Sequence, residues 1–210
     1  AQVDRTKAPL PQPNPEIKIA IPDAITLPNG MKVIVVENHK LPKVSFQLFI
    51  DYPIISEGDK AGLSAIFGEL LACGTTSMSK DVFDQKIDYI GASLNTSSRG
   101  FFASSLKKHT PQLLALLSDL MMNPAFPQED FDRIKNQNLT NLATIATDGD
   151  AISGIVSGVV NYGKDHPYGE VTTEATLNNV TLEDVKAYYS TYFKPNYAYL
   201  VIVGDVTQDE

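Results

Sequence analysis

An α+β domain, with helices packed on one face of a largely antiparallel sheet, is the fold class this sequence predicts, and three observations predict it. Two β-rich runs near the start flank Pro28-Asn29-Gly30, and Asn-Gly between such runs is the strongest short-range hairpin signal. Helical periodicities then come in clusters, with neighbouring strands joined by hairpins, so a sheet with its helices on one side is expected. Near the end, Tyr197–Val206 (YAYLVIVGDV) is an apolar run of strand length. The chain has 210 residues, 43% of them hydrophobic, enough to bury a sizeable core.

Residues 1–15 (AQVDRTKAPLPQPNP) are Pro-rich, polar and aperiodic, and read as an extended arm; residues 16–210 form the α+β domain. Ala24–Leu27 and Met31–Val36 flank the Asn-Gly turn, and Lys43–Asp51 alternates apolar with polar as a third strand. Helices follow at 61–75 and at 80–90, the second capped by Ser79 and stopped by Gly91. Strands are expected at 92–97 and 100–106. His109-Thr110-Pro111 opens a leucine-faced helix, with Thr as N-cap and Pro at the first helical position, N1. A long helix spans 128–147, Asp148-Gly149-Asp150 breaks the chain, and a Gly- and Val-rich helix covers 151–162. After the loop 164–169, Thr181-Leu182-Glu183-Asp184 begins a last helix as a near capping box.

The chain is organised around Ala61–Thr75, AGLSAIFGELLACGT. Leu63, Ile66, Phe67, Leu70 and Leu71 recur at i, i+3, i+4, i+7 and i+8, the stripe of a helix with one face in a core. Ala65, Gly68, Glu69 and Ala72 fall on the opposite face, which is therefore small and nearly bare except for one carboxylate. Such a face either approaches another backbone closely or borders a cavity. Glu69 reads either as an acid or base or as a solvated, paired carboxylate.

Composition narrows the function classes. A formal charge of −8 without a Lys/Arg cluster argues against a nucleic-acid partner, which needs concentrated positive charge. No apolar run approaches the roughly 20 residues of a membrane span. Cys73 is the single cysteine, so no internal disulfide framework exists, and its place beside the apolar stripe makes it a small buried residue. His39, His109 and His166 each lack a second His or Cys at metal-ligand spacing. No phosphate-binding glycine motif is present.

The frame G-L-x-x-x-x-x-E-L-L-x-x-G-T at 62–75 resembles the first catalytic helix of the pitrilysin/insulinase peptidases, the inverzincins. L-P-N-G-M-K-V, D-H-P-Y-G at 165–169 and the ending Y-F-K-P-N-Y-A-Y-L-V-I-V-G-D-V extend the resemblance over roughly residues 20–206. In that family the helix carries H-x-x-E-H, two His on zinc and Glu as base. Here the corresponding positions hold Ala65, Gly68 and Glu69, and the third-ligand position on the long helix falls near Asn141. The resemblance implies the family's α+β repeat unit with neither catalytic residues nor zinc ligands. It also implies that Leu94, Asn95, Thr96 and Ser97 match the edge strand on which active members lay the substrate backbone. The alternative is an ordinary strand that pairs only within its own sheet.

Expectations follow for function. The chain is a non-catalytic member, a scaffold or chamber partner of an active peptidase subunit or of further units of the same chain, with extended peptides as ligands and without zinc. Its alternatives are the first unit of an active metallopeptidase whose catalysis lies elsewhere, and a structural core subunit of a larger complex. The Ala1-Gln2 start points to a removed signal peptide and a bacterial periplasmic location, with cytoplasm and mitochondrion as alternatives. The bare helix face is expected to border an open groove, because Glu69 would be costly to bury alone.

Overall fold

The computed structural model describes Pro22 and residues 24–210; the N-terminal arm expected at 1–15 lies outside the described residues. Six strands form one sheet in the order β1-β2-β6-β3-β5-β4. They are β1 (Ala24–Thr26), β2 (Lys32–Glu37), β3 (Lys43–Ile50), β4 (Ser93–Ser97), β5 (Gly100–Leu106) and β6 (Ala198–Gly204). The β1–β2 and β4–β5 hairpins close as their turn chemistry requires. The last strand, β6, inserts between β2 and β3, parallel to β2 and antiparallel to β3. The sheet is therefore mixed, with a single parallel pair among the described strands.

Among the described residues there are seven α-helices: α1 (Leu63–Leu70), α2 (Lys80–Tyr89), α3 (Thr110–Met122), α4 (Gln128–Ile145), α5 (Gly149–Tyr162), α6 (Glu174–Asn179) and α7 (Leu182–Tyr192). All but α5 bury side chains in the core on one face of the sheet. Strand alternation decides what they cover. Phe46 and Ala103 are paired across β3 and β5 and point into the core, fully buried, whereas their neighbours Gln47 and Phe102 face the open side. One core cluster gathers α1, α4 and α7 around Phe67, Val185 and Tyr188; another gathers α2 and α3 on β3 and β5. Leu48 and Met121 touch both.

Three local features depart from the sequence reading. Thr110 does not cap α3: the helix begins at Thr110 with His109 before it, no side chain caps it, and the Thr110 hydroxyl is buried with no hydrogen-bond partner among the described residues. The Asp148-Gly149-Asp150 break is a helix start: the Asp148 carboxylate accepts the backbone N–H groups of Asp150 (2.9 Å) and Ala151 (3.1 Å), so α5 begins at Gly149. The short helix α6 was not expected; Thr173 and Thr176 cap it reciprocally, a Thr-for-Glu version of the capping box that the usual S/T-x-x-E pattern does not find. The box at Thr181 and Asp184 closes as expected.

Candidate functional site

The bare face of α1 is the candidate site, and the elements around it fix its shape. Two carboxylates hold the N-terminus of α1. Glu57 accepts from the backbone N–H groups of Gly62 (2.7 Å) and Ser64 (2.9 Å), which places negative charge at the positive end of the helix. Glu170 in turn accepts from the Ser56 hydroxyl (2.6 Å) and the Glu57 and Gly58 N–H groups (2.9 and 2.6 Å). Partial burial opposes ionisation of Glu170, yet these three donors hold its carboxyl below the ordinary value of 4.5. Ile66, Phe67, Leu70 and Leu71 are buried, and Tyr188 of α7 lies against Phe67 with ring centroids 4.8 Å apart. The Tyr188 hydroxyl, hydrogen-bonded to that of Tyr52, is pushed far above its ordinary pKa by burial first and by that bond second.

Opposite the stripe, Ala65 and Glu69 are exposed and Gly68 is buried. A Cβ added at Gly68 would lie 2.7 Å from the Ser98 nitrogen and 2.9 Å from the Ser97 carbonyl carbon, both backbone atoms. The Thr96 hydroxyl donates to the Gly68 carbonyl at 2.7 Å. So α1 rests directly on the end of β4, backbone against backbone, at the middle of its small face. Among the described residues β4 is the edge of the sheet and pairs with β5 alone, so alternate N–H and C=O groups along it have no strand partner there. Leu94 and Thr96 point to the helix side and are half-buried; Asn95 and Ser97 are exposed on the other face.

On α4, the residue that reaches this face is Asn138. Its side-chain amide donates to the Glu69 carboxylate (3.1 Å) and to the Ile134 carbonyl (3.0 Å). Asn141, one turn later, is exposed and accepts from Gln137 (3.1 Å). Glu69 is thus an exposed, amide-paired carboxylate.

Comparison with protein-family models matches residues 32–151, more than half of the chain, to the family described as Insulinase (Peptidase family M16). The chain belongs to peptidase family M16. Residues 179–210 also match the family's inactive-domain description, Peptidase M16 inactive domain. Among curated relatives, the "Non-peptidase homolog YmxG" of Helicobacter pylori is 25% identical over 85% of this chain and 43% of its own length. The "Probable mitochondrial-processing peptidase subunit beta" of Arabidopsis thaliana is 24% identical over 88% of this chain and 36% of its length. A solved peptidase M16 inactive domain from Pseudomonas fluorescens superposes with a TM-score of 0.82 at 21% identity, covering 90% of this chain and 48% of that one. The chain therefore spans less than half the length of these M16 relatives.

The M16 fold implies zinc, and the residues here do not fit it. Ala65 and Gly68 have no donor atom, and the space a longer side chain at 68 would need is filled by the Ser97–Ser98 backbone. Glu69 and Asn138 leave one carboxylate and one amide, short of three N, S or carboxylate ligands. Among the described residues no three His, Cys, Asp or Glu side chains come together elsewhere. Cys73 is buried, and burial pushes its thiol up to about 11, away from the reactive range. His166 stacks on Tyr162 (5.5 Å between centroids) and accepts from the Tyr168 N–H, a loop role.

The expectation of an open groove along the bare face fails at Gly68, where the Ser97–Ser98 backbone fills the space, and holds only for exposed Ala65 and Glu69; the sequence reading also missed Asn138 as the α4 residue at Glu69. The signal for a close approach at Gly68 was there: a glycine on a helix face of small residues lets another backbone come near.

Proposed function

We propose that this chain is a non-catalytic M16 unit that serves as a scaffold or chamber partner of an active unit, binding no catalytic zinc. The observation that carries the reading is the seating of Gly68 on Ser97 and Ser98, which occupies the space a catalytic base would need. The names of the non-peptidase and inactive-domain relatives support the same reading. No helix among the described residues is long and apolar enough to cross a membrane. The edge strand Leu94–Ser97 remains available to pair with an extended peptide, main chain to main chain, and Ala65 leaves room beside it.

The test has two arms. Zinc added to chelator-cleaned protein should show no stoichiometric tight uptake, and the chain alone should not cleave a quenched fluorescent peptide. Mixed with an H-x-x-E-H-bearing M16 subunit from the same source, it should form a stable complex by light scattering and raise that subunit's activity. One equivalent of zinc bound at nanomolar affinity would overturn the non-catalytic reading; failure to associate with any such subunit would overturn the partner role.

A further inference from the structure

A groove of about 530 Å³ opens between α3 and α7, on the helix side of the sheet. It shares no lining residue with the junction of α1 and β4. Its origin is the division of the helix layer: α3 belongs to one core cluster and α7 to the other, and the sheet between them is left bare. Leu48 and Leu200, cross-strand partners on β3 and β6, form the floor and are only half-buried, although the neighbouring Phe46 is fully covered. Leu114 and Met122 of α3 stand on the rim, 40% and 73% exposed. The walls are tied together, since the Tyr189 hydroxyl donates to the Met121 carbonyl at 2.7 Å.

The lining is almost wholly apolar, and its volume lies within the roughly 300–1,000 Å³ of small-molecule sites. Met31, Met121 and Met122 give it walls that adapt to an irregular aliphatic shape. Lys194 carries the single formal charge in the lining, on a chain whose net charge is −8, and it has no ion pair among the described residues. Asn29 also lines the groove; its side-chain oxygen is taken by the Met31 N–H, which leaves its NH2 as a donor.

We propose that this groove binds an aliphatic carboxylate, its chain laid on Leu48 and Leu200 between α3 and α7 and its head group paired with Lys194. An apolar floor calls for an alkyl chain; a single cation and an amide donor among the lining residues call for an anionic head.

The test uses the whole chain and dodecanoate below its micellar concentration, followed by calorimetry, with dodecylamine and dodecanol as controls. Dodecanoate should bind with one-to-one stoichiometry, and at least tenfold more tightly than dodecylamine. Lys194→Glu, at an exposed position, should weaken dodecanoate tenfold or more while changing dodecanol less than twofold. Leu114→Trp, which fills the rim, should weaken both equally, with an unchanged circular dichroism spectrum as the folding control. Absence of dodecanoate binding would overturn the proposal, as would equal binding of the amine or indifference to both substitutions. So would a concentration-dependent dimer that Leu114→Trp abolishes without any fatty-acid binding, because a second copy would then be the occupant.

Discussion

Gly68 is where one methyl group decides the most. Its neighbours across the gap are backbone atoms of Ser97 and Ser98, which cannot rotate away as a side chain would. Gly68→Ala should therefore cost about 1–3 kcal/mol in a denaturant titration, as overpacking does. Ala65→Trp, three residues earlier on the exposed part of the same face, should stay within about 0.5 kcal/mol of the parent. Equal effects at the two positions would mean that the close approach is absent. The same contact bears on a catalytic graft. Ala65→His, Gly68→Glu and Glu69→His together should restore no peptidase activity, because the glutamate has nowhere to go; cleavage well above background by that triple variant would refute this.

Asp184 offers a pH test at the same scale. Partial burial would raise its pKa, but hydrogen bonds from Lys60 (2.5 Å) and from the hydroxyl and N–H of Thr181 (2.7 and 2.9 Å) lower it below the ordinary 3.8. A depressed carboxyl stabilises the fold above the unfolded pKa, and that stability is lost as pH falls through the folded value. Asp184→Asn should thus cost roughly 1 kcal/mol at pH 6, where the charge-assisted bonds are intact. The difference from wild type should close progressively below pH 3.8. A difference that is constant with pH would assign the effect to side-chain shape alone.

At the scale of elements, α5 is the exception among the longer helices. It has a strong apolar face, yet none of its residues is buried, and Val156 and Val160 are 52% and 77% exposed. Helices in proteins draw most of their stability from a packed face, so α5 rests on its Asp148 cap and on the seat that Gly158 makes for the Tyr168 carbonyl. Its amides should exchange with solvent at markedly lower opening free energies than those of α1 and α7. Protection in α5 equal to that of α1, measured on the isolated chain, would contradict this. The edge strand β4 behaves differently: it is exposed along one edge, but Thr96 and the Gly68 contact anchor it to α1.

For the whole molecule, the question is whether two core clusters unfold as one. Leu48 lies beneath both, Met121 packs against both, and β3 runs through both. That continuity predicts a single cooperative transition, with far-ultraviolet dichroism and tyrosine fluorescence giving coincident curves. Two separated transitions would show that the groove between α3 and α7 divides the domain into independent units.

Much of this was legible in the sequence, because local rules carried it. The Asn-Gly hairpin, the 3.6-residue stripe of α1, the Pro-opened α3 and the Thr181 box each depend on residues a few positions apart, and each stands where periodicity and turn chemistry place it. The sequence by itself also determined that Ala65 and Gly68 bring no side-chain donor atom to the face of α1, whatever the fold. What it could not determine was set by residues distant in the chain. That β6 slides between β2 and β3 depends on pairings between residues far apart in the chain, such as Ile50 with Ala198 and Lys32 with Tyr199, to which no periodicity is sensitive. That Gly68 lies on Ser97 and Ser98, that Asn138 and not Asn141 reaches Glu69, and that the helix layer parts above Leu48 and Leu200 are matters of where packed surfaces meet. Only the tertiary structure decided those, because close packing fixes distances to tenths of an ångström while a sequence pattern fixes no more than which face a residue is on.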